Sequence, residues 1–205
     1  SGDINDKKLL KSLELNYTFD YIFHQAAISD TTVSEQDLMI KTNVNAYEDL
    51  LKIAINHKAN MIYASSAATY GDSDRFEIGY EQPNNAYGFS KVMMDNITYE
   101  YLKQDLDISI VGLKYFNVYG PKEFYKNKTA SMVVQFAHQI LKGLTPKLFE
   151  GSDKILRDFI YIEDVIQANI KACNPKKSGV YNVGTGKARS FEDIVNILQK
   201  ELEIN

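Results

Sequence analysis

The chain has 205 residues, of which 44% are hydrophobic and 24% charged, and its net charge is −4, which suits a globular protein with a buried core. The sequence contains no Lys/Arg cluster of the kind that nucleic-acid binding needs, and no apolar run approaches the roughly 18 residues of a membrane span. Its single cysteine, Cys173, excludes an internal disulfide and a multi-cysteine metal site and is typical of a reducing cytoplasm.

Strand-like and helix-like segments alternate through the first 120 residues. The apolar spacing predicts, in chain order, a strand at 19–27, a helix at 36–57, a strand at 60–68, a helix at 87–106 and a strand at 108–120. This alternation favours βαβ units on a parallel sheet. We therefore predict an α/β fold in which residues 1–121 form part of a Rossmann-like, doubly wound parallel sheet whose first strands are missing.

Shorter elements follow Pro121. We expect a polar loop with the sequence EFYKNKT, a helix at 130–143, short strands at 146–151 and from 157, a strand and turn at 180–186, and a helix at 191–203. Ser190 directly precedes the last of these and has the side chain of an N-cap. Residues 122–205 are predicted to form mainly a smaller α/β substrate-binding lobe, with 180–186 as a candidate for return to the large domain.

A phosphate-binding glycine loop is missing from the sequence. Doubly wound sheets commonly open with G-x-G-x-x-G, whereas the G-x-G here, Gly184–Gly186, lies late in the chain and has Arg189 in place of the third glycine. An ordinary strand-ending turn is the favoured interpretation of Gly184–Gly186. We expect that the sequence is cut at both ends.

The chemistry is expected at the segments ASSAATYG (64–71) and YGFSK (87–91). Tyr87 and Lys91 are four residues apart and share one face of a predicted helix. An ammonium beside a phenol favours the phenolate and lowers the pKa of the tyrosine toward neutrality. Ser66 closes the preceding strand, where ligands bind on parallel sheets, so its hydroxyl can hold an oxygen that Tyr87 deprotonates.

These two segments, together with KYFNVYGP (114–121), resemble the extended short-chain dehydrogenase/reductase superfamily of nucleotide-sugar enzymes. Within it, YFNVYGPKEFYKNKTASM and KLFEGSDKILRDFIYIEDV are most similar to the ADP-glyceromanno-heptose 6-epimerases. The resemblance covers nearly the whole chain. It implies NADP-dependent inversion at C6 of an ADP-heptose through a transient ketone, as a step of lipopolysaccharide core synthesis.

The resemblance also implies roles for individual residues. Tyr87 and Lys126 would transfer protons on the two sides of the carbon, Lys91 would hold the nicotinamide ribose, and Ser66 would support the reacting oxygen. The implied cofactor contacts, to NADP with NAD as the alternative, are Asp3, Ile4, Gln25, Ala26, Ala27, Asn43, Lys91 and Val118. The implied substrate contacts are Ser66, Asn117, Phe149, Glu150, Gly151, Ser152 and Arg157, whose guanidinium suits a diphosphate.

Other interpretations stay open. A 4-epimerase of the same superfamily would not need Lys126, and a dehydratase is disfavoured because Ala67 and Ala68, rather than an acidic pair, follow Ser66. A non-catalytic sensor or scaffold is the alternative outside enzymes. The three histidines have no partner at metal-ligand spacing, so we predict no metal site. The expected setting is a cytoplasmic homo-oligomer that binds an ADP-sugar and neither nucleic acid nor membrane.

Overall fold

The protein divides into two compact units. A computed structural model describes residues 1–203, without the side chains of residues 124, 127 and 128. Unit 1 comprises Ser1–Tyr115 and Gln167–Asn182, and unit 2 comprises Phe116–Ile166 and Val183–Asn205. No helix in the described part of the chain is both long and apolar enough to cross a membrane.

Unit 1 is built on a four-stranded sheet in the order β1-β2-β3-β6. The strands are β1 (Tyr21–His24), β2 (Asn60–Ser66), β3 (Ile110–Tyr115) and β6 (Gly179–Val183). The β1–β2 and β2–β3 pairs are parallel, and Ser66 is paired with Tyr115 at the carboxyl ends of β2 and β3. The predicted α/β fold with a parallel sheet is confirmed.

Helices precede and connect these strands. They are α1 (Lys7–Asn16), α2 (Gln36–Met39), a π-helical segment (Ile40–Asn45), α3 (Ala46–His57) and α4 (Ala86–Tyr101). The predicted helix 36–57 is thus continuous, with a π-helical segment between its two α-helical parts. Helix α1 was not predicted; its N-terminus is capped by Asp6, whose carboxylate accepts hydrogen bonds from the backbone N–H groups of Lys8 and Leu9.

The core of unit 1 lies between the sheet and the helices α3 and α4. Tyr47 and Leu51 of α3 and Met94 of α4 pack with Met61 and Tyr63 of β2, and all five are fully buried. Met61 and Tyr63 are two residues apart and therefore point to the same face of the strand. Burial of this face fixes the register of β2 and with it the position of Ser66 at the strand end.

Unit 2 contains a three-stranded sheet in the order β4-β5-β7. Its strands are β4 (Asn117–Tyr119), β5 (Leu156–Tyr161) and β7 (Ala188–Ser190), with β4–β5 parallel and β5–β7 antiparallel. A 3₁₀ turn (Glu123–Thr129) leads to α5 (Met132–Leu141), and α7 (Phe191–Glu201) ends the unit; α6 (Ile162–Ala172) contributes residues to both units. Phe136, Phe191, Ile194 and Val195 form its core.

Two of the predicted strands are wrong. The segment predicted as one strand, 108–120, is broken at Phe116 into β3 and β4, which belong to different sheets; the Phe116 N–H donates to Val183 O at 3.1 Å. Residues 146–151 form no strand, because Phe149 is exposed and Gly151 adopts a positive φ of 76°. The predicted N-cap is confirmed: the Ser190 hydroxyl accepts from the Asp193 N–H at 2.9 Å.

Candidate active site

Ser66 lies at the carboxyl end of β2, where the chain turns into a 3₁₀ segment, Ala67–Tyr70. Its hydroxyl oxygen accepts a hydrogen bond from the Ala68 N–H at 3.1 Å, and its carbonyl accepts one from the Thr69 hydroxyl at 2.8 Å. Ser65, by contrast, is fully buried and donates to Asp95 at 2.9 Å. Of the two serines, Ser66 is therefore the one whose hydroxyl is available to a ligand.

Tyr87 stands in the first turn of α4, next to Ser66. The side-chain oxygen of Asn85 caps this helix by accepting from the Gly88 N–H at 2.8 Å. A Cβ added at Gly88 would lie 2.4 Å from the Ala68 carbonyl oxygen, so only glycine allows α4 to approach the 3₁₀ turn this closely. At this approach the Ser66 side chain is close enough to the Tyr87 hydroxyl to lower the pKa of Tyr87.

Lys91 lies one turn further along α4 with its ammonium buried. Its Nζ donates to the Ala64 carbonyl at 2.7 Å and is 5.7 Å from the centroid of the Tyr87 ring. Burial disfavours the charged form and lowers the pKa of Lys91 to about 8, against the opposing field of Asp95. The described residues supply one acceptor to this ammonium, which leaves N–H donors for the hydroxyls of a bound ribose.

The pKa of Tyr87 is raised, not lowered as expected from the sequence. Burial disfavours the phenolate and outweighs the hydrogen bond from Ser66, which favours it. Lys91 contributes little here because its Nζ is directed to the Ala64 carbonyl and not to the phenol oxygen. The phenolate therefore has to be stabilised by groups in addition to Lys91.

A buried ion pair that the sequence analysis did not identify lies beneath the Ser66 turn. Lys114 of β3 donates to Asp95 of α4 at 2.7 Å and to Thr69 at 2.9 Å, and neither charged side chain is more than 4% exposed. Glu81 provides a second carboxylate 3.0 Å from Lys114. A lysine inside an otherwise apolar strand was the available signal, because a buried charge needs a partner.

Asp95 receives further hydrogen bonds from neutral donors. The Tyr63 hydroxyl donates to it at 2.8 Å, beside the bond from Ser65. A Cβ at Gly112 would meet the Tyr63 hydroxyl at 2.4 Å, so the glycine makes room for that donor. Because Asp95 follows Lys91 by four residues, it is also the carboxylate whose field favours the charged form of Lys91.

The predicted cofactor turn Gln25–Ala27 follows β1 and is held by Asn43. The Asn43 side chain accepts from the Ile28 N–H at 2.8 Å and donates to the Ile28 carbonyl at 3.0 Å. Asn43 is fully buried in the π-helical segment, a type of helix often found at functional sites. Its amide is thus committed to the loop, and we expect it to position the turn rather than to touch a cofactor.

Gln25 is linked to the end of β3. The Tyr115 hydroxyl lies 3.1 Å from Gln25 Oε1, and the Asn169 side chain donates to the same hydroxyl at 2.8 Å. Ala26 is exposed and Ala27 half-buried, as a close approach by a ligand requires. Asp3 is exposed and accepts from the Asn5 N–H, closing a turn before α1, while Ile4 is half-buried in that turn.

In unit 2 the predicted residues lie on β4 and in the loops. Asn117 is exposed and Val118 half-buried on β4, and Lys126 is exposed in the 3₁₀ turn. Phe149, Glu150 and Gly151 are exposed, whereas Ser152 is buried. A residue that contacts substrate has to be accessible. Because Ser152 is buried, it is the least suitable substrate contact of this group.

Arg157 of β5 is exposed and stands directly opposite Arg189 of β7. Within the described residues Arg157 forms no ion pair. Its neighbour in the sequence, Asp158, accepts hydrogen bonds from the Thr185 and Gly186 N–H groups at 3.0 and 2.7 Å. Directly paired residues point to the same face of a sheet, so two guanidinium groups share one surface. The sequence analysis did not identify Arg189, since only the strand register brings it beside Arg157.

Residues 1–184 match the model of the NAD dependent epimerase/dehydratase family. The chain belongs to this family. The motif-based assignment to an epimerase/dehydratase superfamily is thereby confirmed.

Individual relatives narrow the similarity. The chain is 40% identical over 199 residues to the ADP-L-glycero-D-manno-heptose-6-epimerase of Brachyspira hyodysenteriae, covering 93% of this chain and 62% of that protein. It is 53% identical, with a TM-score of 0.92, to the structure of the same enzyme from Helicobacter pylori, covering 99% of this chain and 64% of that one. The chain thus spans less than two thirds of both relatives.

A more distant structure shares the fold. The UDP-glucose 4-epimerase of Thermus thermophilus, solved with NAD, is 27% identical with a TM-score of 0.85, and the match covers all of this chain and 68% of that one. The higher identity to the two heptose epimerases favours their branch of the family.

Proposed function

We propose that the protein containing this chain inverts C6 of an ADP-heptose, converting ADP-D-glycero-D-manno-heptose to ADP-L-glycero-D-manno-heptose. The observation that carries the proposal is the arrangement of Ser66, Tyr87 and Lys91 at the carboxyl end of β2, in a chain of the epimerase/dehydratase family. The 40% and 53% identities to heptose 6-epimerases support the substrate.

Tyr87 is proposed as one of two proton-transfer groups. Its hydroxyl is close enough to Ser66 for that side chain to lower its pKa, and the Ser66 hydroxyl can also hold the C6 oxygen of the sugar. The proton of that oxygen would pass to Tyr87 as the C6 carbonyl forms. Tyr87 has to be a phenolate to accept this proton, and because burial raises its pKa, groups in addition to Ser66 and Lys91 would have to stabilise that form.

Lys126 is proposed as the second proton-transfer group. Inversion requires that the sugar be reduced on the opposite face, where a different group must serve the oxygen. Lys126 is exposed in a loop, as a side chain that reaches a substrate needs to be. A UDP-hexose 4-epimerase uses a single base, so the role of Lys126 separates the two candidate activities.

A nicotinamide cofactor fits the residues present. Among the described residues the Ala64 carbonyl is the one acceptor of Lys91, which leaves N–H donors that would hold the ribose hydroxyls. The small residues Ala26 and Ala27 would let the cofactor backbone approach, on a turn that Asn43 holds in place. The bound nicotinamide would take up and return the two electrons exchanged at C6. NADP is the cofactor proposed, with NAD as the alternative.

Arg157 is proposed to bind the diphosphate of the ADP moiety, with Arg189 opposite it as a second cation. Asn117, Phe149, Glu150 and Gly151 are proposed as further substrate contacts because they are exposed. Self-association and a cytoplasmic location, in lipopolysaccharide core synthesis, complete the proposal by similarity to the heptose epimerases.

The test follows C6 inversion by proton NMR in the whole protein, with ADP-D-glycero-D-manno-heptose as substrate. We expect the parent to equilibrate the two epimers. Tyr87→Phe and Lys126→Met should each slow inversion by about 100-fold or more, because each removes a group that transfers a proton. Tyr17→Phe and Lys142→Met, at exposed sites, are the matched controls.

Other outcomes are informative. If the parent leaves this heptose unchanged but epimerises a UDP-hexose, and Lys126→Met is fully active, the protein is a 4-epimerase and the proposal fails. If neither sugar reacts while the protein still binds ADP-sugar and nicotinamide cofactor, it is a sensor rather than an enzyme.

A further inference from the structure

A single buried carboxylate spans the loop that carries Lys126. The loop runs from Gly120, after β4, to Ser131, before α5, and Lys126 lies within its 3₁₀ turn, Glu123–Thr129. Glu123 is only 7% exposed although its neighbours along the loop, Lys122 and Tyr125, are exposed. The carboxylate is therefore directed into the loop.

Glu123 binds both ends of this loop. Its Oε1 accepts from the Gly120 N–H at 3.0 Å and from the Ser131 hydroxyl at 2.9 Å. Its Oε2 accepts from the Ser131 N–H at 2.7 Å. Bonds from residues three positions before and eight positions after Glu123 close the segment 120–131 into a ring around one side chain.

Neutral donors, and no cation among the described residues, satisfy the Glu123 carboxylate. Within the described residues Glu123 forms no ion pair, and its three partners are neutral donors. Ser131 is the N-cap of α5, so the carboxylate lies at a helix N-terminus, where exposed N–H groups favour a negative charge. Three hydrogen bonds thus satisfy the buried carboxyl group.

The rest of the loop is also constrained. A Cβ at Gly120 would meet Ile162 Cγ2 at 2.4 Å, so the start of the loop lies in close contact with the first residue of α6. Lys122 adopts a positive φ of 70°, and the Lys126 carbonyl accepts from the Thr129 hydroxyl at 2.8 Å. Lys126 is thus attached to a backbone that is fixed before, within and after its own turn.

We propose that Glu123 is a positioning residue, whose carboxylate closes the segment 120–131 and thereby holds Lys126 in place for proton transfer. This inference rests on the proposed function of Lys126. Glu123 itself is directed to backbone and Ser131 and acts through the loop.

Glu123→Gln is the decisive substitution. The Gly120 and Ser131 N–H groups are fixed donors on different carboxylate oxygens, so either orientation of the amide places an NH₂ group against one of them. One backbone donor is then left without an acceptor while the volume of the side chain is unchanged. Ser131→Ala keeps the carboxylate and removes one of its three donors, but it also removes the N-cap of α5, so part of its effect is expected in the first turn of that helix.

The first experiment measures hydrogen–deuterium exchange of the whole protein. We expect amide exchange in 120–131 to accelerate by about 10- to 100-fold in Glu123→Gln, and less in Ser131→Ala. Exchange elsewhere should change little. Glu192→Gln, an exposed acid of the same unit, is the matched control. Unchanged exchange in 120–131 would overturn the proposed closure whether or not the protein is an epimerase.

The second experiment is a double-mutant cycle on C6 inversion with Glu123→Gln and Lys126→Met. A residue that acts through Lys126 should lower kcat about 10-fold or more in the parent, with little change in the KM for ADP-heptose, and should add nothing when Lys126 is already absent. Additive losses would show that Glu123 acts elsewhere and would overturn the inference. Full activity of Lys126→Met would instead refute the proposed function, while the exchange result still reports on the closure.

Discussion

At the scale of single residues, burial decides which polar side chains of a motif can meet a ligand. Ser65 and Ser66 are adjacent and chemically identical, yet Ser65 is committed to Asp95 and Ser66 is left at the strand end. Asn43 is similarly committed to the Ile28 backbone. The direction in which a side chain points from its strand or helix, rather than its residue type, decides whether its polar group bonds within the protein or remains accessible to a ligand.

His24 shows how burial next to a cation affects a titrating group. It is 3% exposed at the end of β1, stacks on Tyr47 with a centroid distance of 5.9 Å, and its Nε2 has no hydrogen-bond partner among the described residues. Burial, and secondarily the charge of Lys91, lower the pKa of His24 to about 4. His24 is therefore neutral in the folded protein at physiological pH.

This shift predicts acid sensitivity. The unfolded chain binds a proton at His24 near pH 6.5 and the folded chain only near pH 4, so the stabilisation is complete above pH 6.5 and is lost as pH falls to about 4. The loss is about 1.4 kcal/mol per pH unit within that window. We expect His24→Phe, which keeps a stacked ring on Tyr47, to have a shallower decline in unfolding free energy than the parent.

Urea unfolding at pH 4.5 to 7.5 measures the decline. His138→Phe, at an exposed position on α5, controls for loss of a histidine and should follow the parent. A decline in His24→Phe as steep as in the parent would show that His24 is not the group that titrates.

At the scale of elements, the site depends on one close approach between α4 and the 3₁₀ turn after β2. Tyr87 belongs to the helix and Ser66 to the turn, and Gly88 sits where a side chain would strike the Ala68 carbonyl. The proximity of Tyr87 to Ser66 is a consequence of this packing. The glycine of Y-G-F-S-K is thus explained by the turn it faces.

Gly88→Ala is expected to separate the two elements. Alanine favours a helix over glycine by about 1 kcal/mol, but a contact of 2.4 Å with backbone has to be relieved by movement, at about 1–3 kcal/mol. We expect a small net loss of stability, and a fall of about tenfold or more in kcat/KM for epimerisation, because Tyr87 moves relative to Ser66.

Kinetics and thermal unfolding of the whole protein check this result, with Glu100→Ala on the exposed face of α4 as control. Parental activity in Gly88→Ala would mean that the helix accommodates the methyl group without displacing Tyr87.

At the scale of the whole molecule, the two units have separate hydrophobic cores. The core of unit 1 is centred on residues such as Met94, and that of unit 2 on Phe136, which packs edge-on against Phe191 at 6.3 Å. Both Met94 and Phe136 are fully buried. Each core determines the position of its own predicted site residues.

We expect Phe136→Ala to destabilise unit 2 by about 3–5 kcal/mol and Met94→Ala to destabilise unit 1 by about 2–5 kcal/mol, through lost burial and cavity formation. Hydrogen exchange should accelerate first in the unit that carries the substitution, because local opening follows local packing. Equal acceleration in both units after either substitution would indicate one cooperative core.

Much of the architecture could be predicted from spacing alone. The continuous helical segment from Gln36 to His57, the β5–α6 succession and the Ser190 cap each depend on residues within a few positions of one another. The Ser66, Tyr87 and Lys91 constellation was likewise predicted from a strand end and a four-residue helical spacing. Local patterns of this kind are determined by backbone geometry, which is the same in every protein.

The sequence by itself determined the alternating α/β pattern, the family motifs and the three side chains at the end of β2. Only the tertiary structure decided that Lys114 pairs with Asp95, that Arg189 faces Arg157, and that the segment 108–120 is divided between two sheets. It also reversed the expected direction of the Tyr87 pKa. These features depend on burial and on contacts between residues far apart in the chain, which local spacing does not encode.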